Sequence, residues 1–134
     1  MSINILGTPQ AHTFHNGADE DWERFYTNDI NAIYTIKTEN LIGIDTEIYL
    51  YEATNLTTPI AYNDDSGGNQ SQIVFTPSAK MYHYIRTKNY DGFLGIGSYD
   101  LLVTMASFTP TTTATVTETA TVTNTSTITL TTTI

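Results

Sequence analysis

Cysteine is absent from the 134 residues. Its absence excludes disulfides, thiolate metal ligands and a cysteine nucleophile. Basic residues are scarce: five Lys and Arg stand against fourteen Asp and Glu, a formal net charge of −9. A chain this acidic repels nucleic acid and anionic membranes, so neither is expected as a partner. No apolar run approaches the roughly 20 residues that a membrane-spanning helix requires. The opening MSINILGTPQ has neither a basic start nor a long apolar stretch, so no secretory leader is expected within it. What is plentiful is tyrosine, with nine residues, and threonine. Aromatic and β-branched side chains favour strands.

Composition breaks near Pro110. Before it lies nearly all the charge; after it Glu118 is the one charged residue and Thr dominates. Residues 1–108 therefore read as a globular domain and residues 109–134 as a separate element. Within the domain, short segments alternate apolar and polar residues between turn clusters. Strands are predicted over Asp21–Tyr26, Ala32–Thr38, Thr46–Tyr51, Pro59–Asn63, Gln72–Thr76, Tyr82–Thr87 and Tyr99–Val103. The two-residue period and the regular punctuation predict an all-β fold, a sandwich of two antiparallel sheets. A domain of about 100 residues buries a sufficient core without disulfides.

Four segments carry a family resemblance: DEDWERFY, DTEIYLYEA, IAYNDDSGGNQSQIVFT and YHYIRTKNYDGFLGIGSYDLLV. In this order they resemble the bacterial pre-peptidase C-terminal domain over roughly residues 17–104. That family's pattern has an Asp-Trp-aromatic strand, an Asp-Thr-apolar-x-Leu-Tyr strand, an Asn-Asp-Asp turn, a Tyr-x-Ile-Arg strand and a closing Gly-x-Tyr-x-Leu-x-Val strand. The resemblance implies a jelly-roll-like sandwich, export to the cell surface or beyond, and a non-catalytic accessory role. Some members bind matrix protein or polysaccharide. Glu23 stands where the family usually has an aromatic residue and His83 near a usual Tyr, two departures expected to alter a binding face.

The acidic turns suggest a cation site. A hairpin of Thr46–Tyr51 with Pro59–Tyr62, its loop centred near Asn55, would place Asp45 opposite Asp65. Asp45, Asn63, Asp64 and Asp65 would then meet at one end of the sandwich. Carboxylates this close repel unless protonated or bridged. Ca²⁺, which accepts many oxygen ligands in flexible geometry, is the expected bridge. The competing reading is an Asx-type turn with solvated charges. Asp19-Glu20-Asp21 reads as a solvated turn. His12 and His15, three apart, have no evident third ligand for zinc. Gly92–Gly97 reads as a hairpin loop before a strand, not a phosphate loop, which would open a helix. No nucleophile–base–oxyanion constellation can be assembled, so no enzymatic activity is expected. Trp22, Tyr49, Tyr51, Tyr82, Tyr84 and Tyr90 could form an exposed aromatic platform for sugar or protein; the alternative is that they cover the core or pair across strands.

From Thr109 to Thr133 every odd position is Thr, while the even positions are mixed but largely apolar. This is the side-chain period of a strand. At about 3.3 Å per residue, two dozen extended residues would span on the order of 80 Å, against about 20 Å for an ordinary sandwich strand. Such a strand outruns its own domain. It is expected to add to an open sheet edge of another copy, with Val116, Val122, Ile128 and Leu130 as anchors. Head-to-tail contacts of that kind build rings or filaments. The leading expectation is thus an extracellular structural subunit that forms a homopolymer by donating its C-terminal strand. The second is a carbohydrate- or matrix-protein-binding module of a secreted enzyme, with residues 109–134 as linker.

Overall fold

The computed structural model describes residues 2–3, 6–90 and 95–108. Eight strands run through them: β1 (Gln10–Phe14), β2 (Glu20–Tyr26), β3 (Ala32–Ile42), β4 (Thr46–Glu52), β5 (Ala61–Asn63), β6 (Gln72–Phe75), β7 (Tyr82–Asn89) and β8 (Gly97–Ser107). They form two four-stranded sheets, a front sheet ordered β2-β7-β4-β5 and a back sheet ordered β1-β8-β3-β6. Every pairing between strands is antiparallel. The expected two-sheet sandwich is the observed fold. The expected C-terminal strand extension, residues 109–134, lies outside the described residues, as do its anchors Val116, Val122, Ile128 and Leu130.

Alternation places the core. Ala32, Tyr34 and Ile36 of β3 and Tyr99, Leu101 and Val103 of β8 face Phe25 of β2, Ile48 and Leu50 of β4 and Ile85 of β7. All are essentially buried. Burial of such side chains contributes about 1.5–3 kcal/mol each relative to exposure, which outweighs any single surface contact.

One strand is new. β1 was not expected, because QAHTF offers a single large apolar residue, Phe14, as a strand signal. Its inward residues are instead His12, stacked on Tyr99 with ring centroids 5.2 Å apart, and Phe14, 5.1 Å from the same ring. β3 and β8 also run longer than their apolar alternation. They stay paired beyond it, through a register shift between Glu39 and Ile42. There the chain turns with positive φ at Asn40 and Gly43. Gly97, which opens β8, packs against that turn: a Cβ on it would stand 2.0 Å from the Ile42 carbonyl oxygen. No side chain fits.

A polar clasp ties the two sheets at the end where β8 begins. Thr38 of β3 and Thr46 of β4 join hydroxyl to hydroxyl at 2.7 Å, and Ser71 donates to the Thr46 carbonyl. Asn89 accepts from the Asp45 backbone N–H at 3.1 Å and donates to the Gly95 carbonyl at 3.1 Å. Each of these buried polar groups has a partner, so none carries the penalty of an unmade hydrogen bond.

Candidate ligand-binding face

The front sheet has one side in the core and one in solvent. The solvent side is built from alternate positions: Glu20, Trp22, Arg24 and Tyr26 of β2; Tyr82, Tyr84, Arg86 and Lys88 of β7; Glu47, Tyr49 and Tyr51 of β4; and Tyr62 of β5. Register lines them up in rows. Trp22 lies opposite Arg86, Arg86 opposite Tyr49, and Tyr49 opposite Tyr62. The adjoining row runs Arg24, Tyr84, Tyr51, and the next pairs Tyr26 with Tyr82. Three of the five cationic residues in this acidic chain thus fall on one sheet face.

The side chains lie flat and hold one another. The Arg86 guanidinium sits 4.3 Å from the Tyr49 ring centroid and 5.9 Å from those of Trp22 and Tyr51. Its Nη1 is 3.8 Å from Glu20. A cation held over several rings is attracted by each ring quadrupole, up to about 2 kcal/mol where desolvated. Glu47 accepts from the Tyr49 hydroxyl and pairs with Lys88 at 3.2 Å. Tyr51 and Glu47 point outward yet are only 3% exposed, because their neighbours cover them. Trp22, Tyr26, Tyr62 and Tyr82 remain 40–49% exposed around this packed centre. The Arg24 guanidinium lies over Tyr82 at 5.0 Å. Burial, then the Glu47 hydrogen bond, push the Tyr49 phenol up to about 12. Burial and Asp64 push Tyr62 up as well. Both rings stay neutral across the physiological range.

The structure sorts the expected aromatic platform. Trp22, Tyr49, Tyr51, Tyr82 and Tyr84 share the front face, with Tyr51 sealed beneath its neighbours. Tyr90 follows β7 and belongs to none of these rows; its N–H donates to the Asp45 carbonyl. Tyr26, Tyr62 and the two arginines join the face without having been singled out. The signal was the two-residue period of EDWERFY and YHYIRTKN, whose alternate positions are all aromatic or charged.

Glu23 and His83 do not alter this face, contrary to expectation. Both occupy inward positions and are buried, at 7% and 1% exposure. His83 packs between Phe25 and Phe75, and desolvation lowers its pKa. Asp21 corrects a second expectation. It is not part of a solvated turn but reaches inward to accept the Tyr99 hydroxyl at 2.7 Å. Histidines 12 and 15 do not converge: the first is 3.8 Å from Asp21, the second 3.1 Å from Asp19.

At the acidic end, β4 pairs with β5 through Ile48–Asn63, Tyr49–Tyr62 and Leu50–Ala61, so the hairpin ladder begins at Ala61 rather than Pro59. Asp45 is half-buried, and its Oδ1 has no hydrogen-bond partner among the described residues. Desolvation, with the charges of Asp65 and Asp64, raises its pKa. Asn63 serves the turn: it accepts from the Gln72 N–H at 2.8 Å and donates to the Asp65 carbonyl at 3.3 Å. The Asp64 carbonyl accepts from Ser71 at 3.0 Å. Among the described residues no group of three or more His, Asp or Glu side chains stands where it could hold a metal ion.

No protein-family profile and no curated protein matches the chain. Solved structures do. The pre-peptidase C-terminal domain of a collagenase from Bacillus anthracis is 25% identical with a TM-score of 0.59, over 77% of this chain and 90% of that one. PliG from Aeromonas hydrophila, a periplasmic inhibitor of g-type lysozyme, has a TM-score of 0.52 at 11% identity, over 76% of this chain and 93% of its own. The second likeness is one of fold alone. The first adds sequence identity to likeness of fold, and the described residues form a pre-peptidase C-terminal-like domain.

Proposed function

We propose that this chain is a non-catalytic accessory module of an exported enzyme, acting outside the cell or in the periplasm. It binds an extended polymer, matrix protein or polysaccharide, on the outer face of the front sheet. The observation that carries this reading is the laterally packed row Trp22–Arg86–Tyr49–Tyr62 with the exposed rings of Tyr26 and Tyr82 beside it. Four strands at about 4.8 Å spacing make a platform roughly 15 Å wide, flat enough for a strand of polymer to lie across. Rings give apolar contact without losing much rotamer freedom, and phenols and guanidinium groups give hydrogen bonds. The collagenase domain supports an enzyme-linked role. The filament expectation draws no comparable support from either neighbour.

Trp22 is the single tryptophan of the chain and lies on the proposed face, so its fluorescence reports binding directly. Titration with fibrillar collagen, chitin and cellulose should shift its emission with one of them. Tyr82→Ala and Tyr26→Ala should each weaken that binding about ten-fold or more, with the fold retained by circular dichroism. Co-sedimentation unchanged in both variants, or absent for every polymer, would refute the reading.

A further inference from the structure

The outer face of the back sheet is unlike that of the front. Near the end where β8 finishes, Ile33, Thr76 and Phe108 line a groove with Ile30 and Asn31, enclosing about 480 Å³. Ile33 lies opposite Ala106 on β8. On β6, Val74 lies opposite Thr35 and is 55% exposed. Ile30 is 43% exposed and Phe108 62%. Apolar side chains are thus exposed at this end of a sheet whose other side already fills the core.

The groove has a direction. Phe108 follows β8, Ile33 is the second residue of β3, and Thr76 follows β6. β8 and β6 each run antiparallel to β3 from its two sides, so both finish at this end. The groove therefore leads from the point where the chain leaves β8, across the start of β3, to the free edge of β6. Among the described residues β6, four residues long, has β3 as its one ladder partner, and on its outer edge the Gln72 N–H is held by the Asn63 side chain. Beyond Phe108 the sequence continues for another 26 residues, alternating Thr with largely apolar residues and carrying one charge, Glu118. β6 lies two strand spacings from the exit and a strand added outside it three, about 14 Å, a distance that four or five extended residues cover.

We propose that residues 109–134 dock on their own domain: the first residues cross the groove, and the following alternating residues add as a strand to the open edge of β6. The occupant is this chain's own segment rather than a second copy's. A tether of a few residues gives an effective concentration near millimolar, which a separate molecule does not reach. Edge pairing satisfies the outward backbone groups of β6 that Asn63 does not hold, the residues crossing the groove cover Ile33, and the even-numbered apolar row lies beside Val74. This inference is independent of the ligand reading for the front face.

The cysteine-free background makes the test clean. In the full chain, Val74→Cys is combined in turn with Ala114→Cys, Val116→Cys, Val122→Cys or Ile128→Cys. Ala79→Cys, in the exposed loop at the same end, replaces Val74→Cys as the control. Under mild oxidation at least one position 74 pair should close as a monomer about ten-fold faster than its position 79 control. Trp22 emission confirms the fold. In a second measurement, Val74→Lys should speed cleavage after Glu118 by a glutamate-specific protease several-fold. Equal rates for both cysteine positions would overturn the proposal, and so would disulfide-linked dimers, which would assign the edge to a second copy. Cleavage unaffected by Val74→Lys would also count against it.

Discussion

The two outer sheet faces share one core and one alternation, yet they solve opposite problems. On the front, long side chains lie across neighbouring strands and shield one another, so that Glu47 and Tyr51 are buried while pointing away from the core. On the back, at the end where β8 finishes, Ile33, Thr35, Val74, Thr104 and Ala106 are shorter. They do not reach across strands in the same way and leave a groove. The difference teaches that an outward position in a sandwich is not by itself a solvated one. Side-chain length and cross-strand chemistry decide whether a face is finished by its own residues or left open to something else.

Breaking the shared core should remove the contrast entirely. Leu101→Ala, at a fully buried position of β8, should cost about 2–5 kcal/mol. Urea melts followed by Trp22 fluorescence and by circular dichroism should then shift together. A front-face signal that melts separately would break the comparison at its root. Next comes the front face itself. Arg86→Ala removes a cation from three rings and should cost about 1–2 kcal/mol. On the back, Thr35→Val should stay within about 0.5 kcal/mol. Equal costs would show that the front rings are not cross-braced.

A smaller effect separates the front sheet's two sides by pH. His83, on the core side, is held neutral by burial, so its folded pKa lies below the unfolded value of about 6.5. The unfolded chain binds the proton first. Stability contributed by the neutral ring is complete above that value and declines as pH falls below it. His83→Phe should flatten the decline in melting temperature between about pH 6.5 and 5. The smallest change is at the sheet's end. Asp45 has a raised pKa, so its stabilising protonated form is lost as pH rises through the folded value, and its charge opposes folding at neutral pH. Asp45→Asn should raise the melting temperature slightly at pH 7 in chelator, and the gain should vanish in acid.

Much of this was legible in the amino-acid pattern. Strands whose inward residues are apolar, such as AIYTIKT and TEIYLY, declare themselves by period, and QIVF and YDLLV do the same. β1 did not, because its inward side is His12 and Phe14, and a histidine stacked on Tyr99 carries no apolar signal. Asp21, Glu23 and His83 misled for the same reason. A charged or titratable residue reads as surface until its partner across the sandwich is known, and the Tyr99 hydroxyl that receives Asp21 lies 78 residues away. The aromatic face was half visible. Single rings could be named from the sequence, but the rows that join Trp22 to Tyr62 through Arg86 depend on the register of three strand pairs. The acidic end was foreseen as a meeting of charges. Asn63's engagement with Gln72 and Asp65 was not.

The placement of β8 has a mechanical consequence. It is an interior strand, paired along nearly its whole length with β3 on one side and over Gly97–Leu101 with β1 on the other. The polar clasp of Thr38, Thr46, Ser71 and Asn89 secures the two sheets near its beginning, and the polypeptide departs from its far end. A pull on the departing segment loads both ladders in shear. Many bonds must then yield at once instead of peeling one by one, so the sandwich resists a load applied through its C-terminal strand.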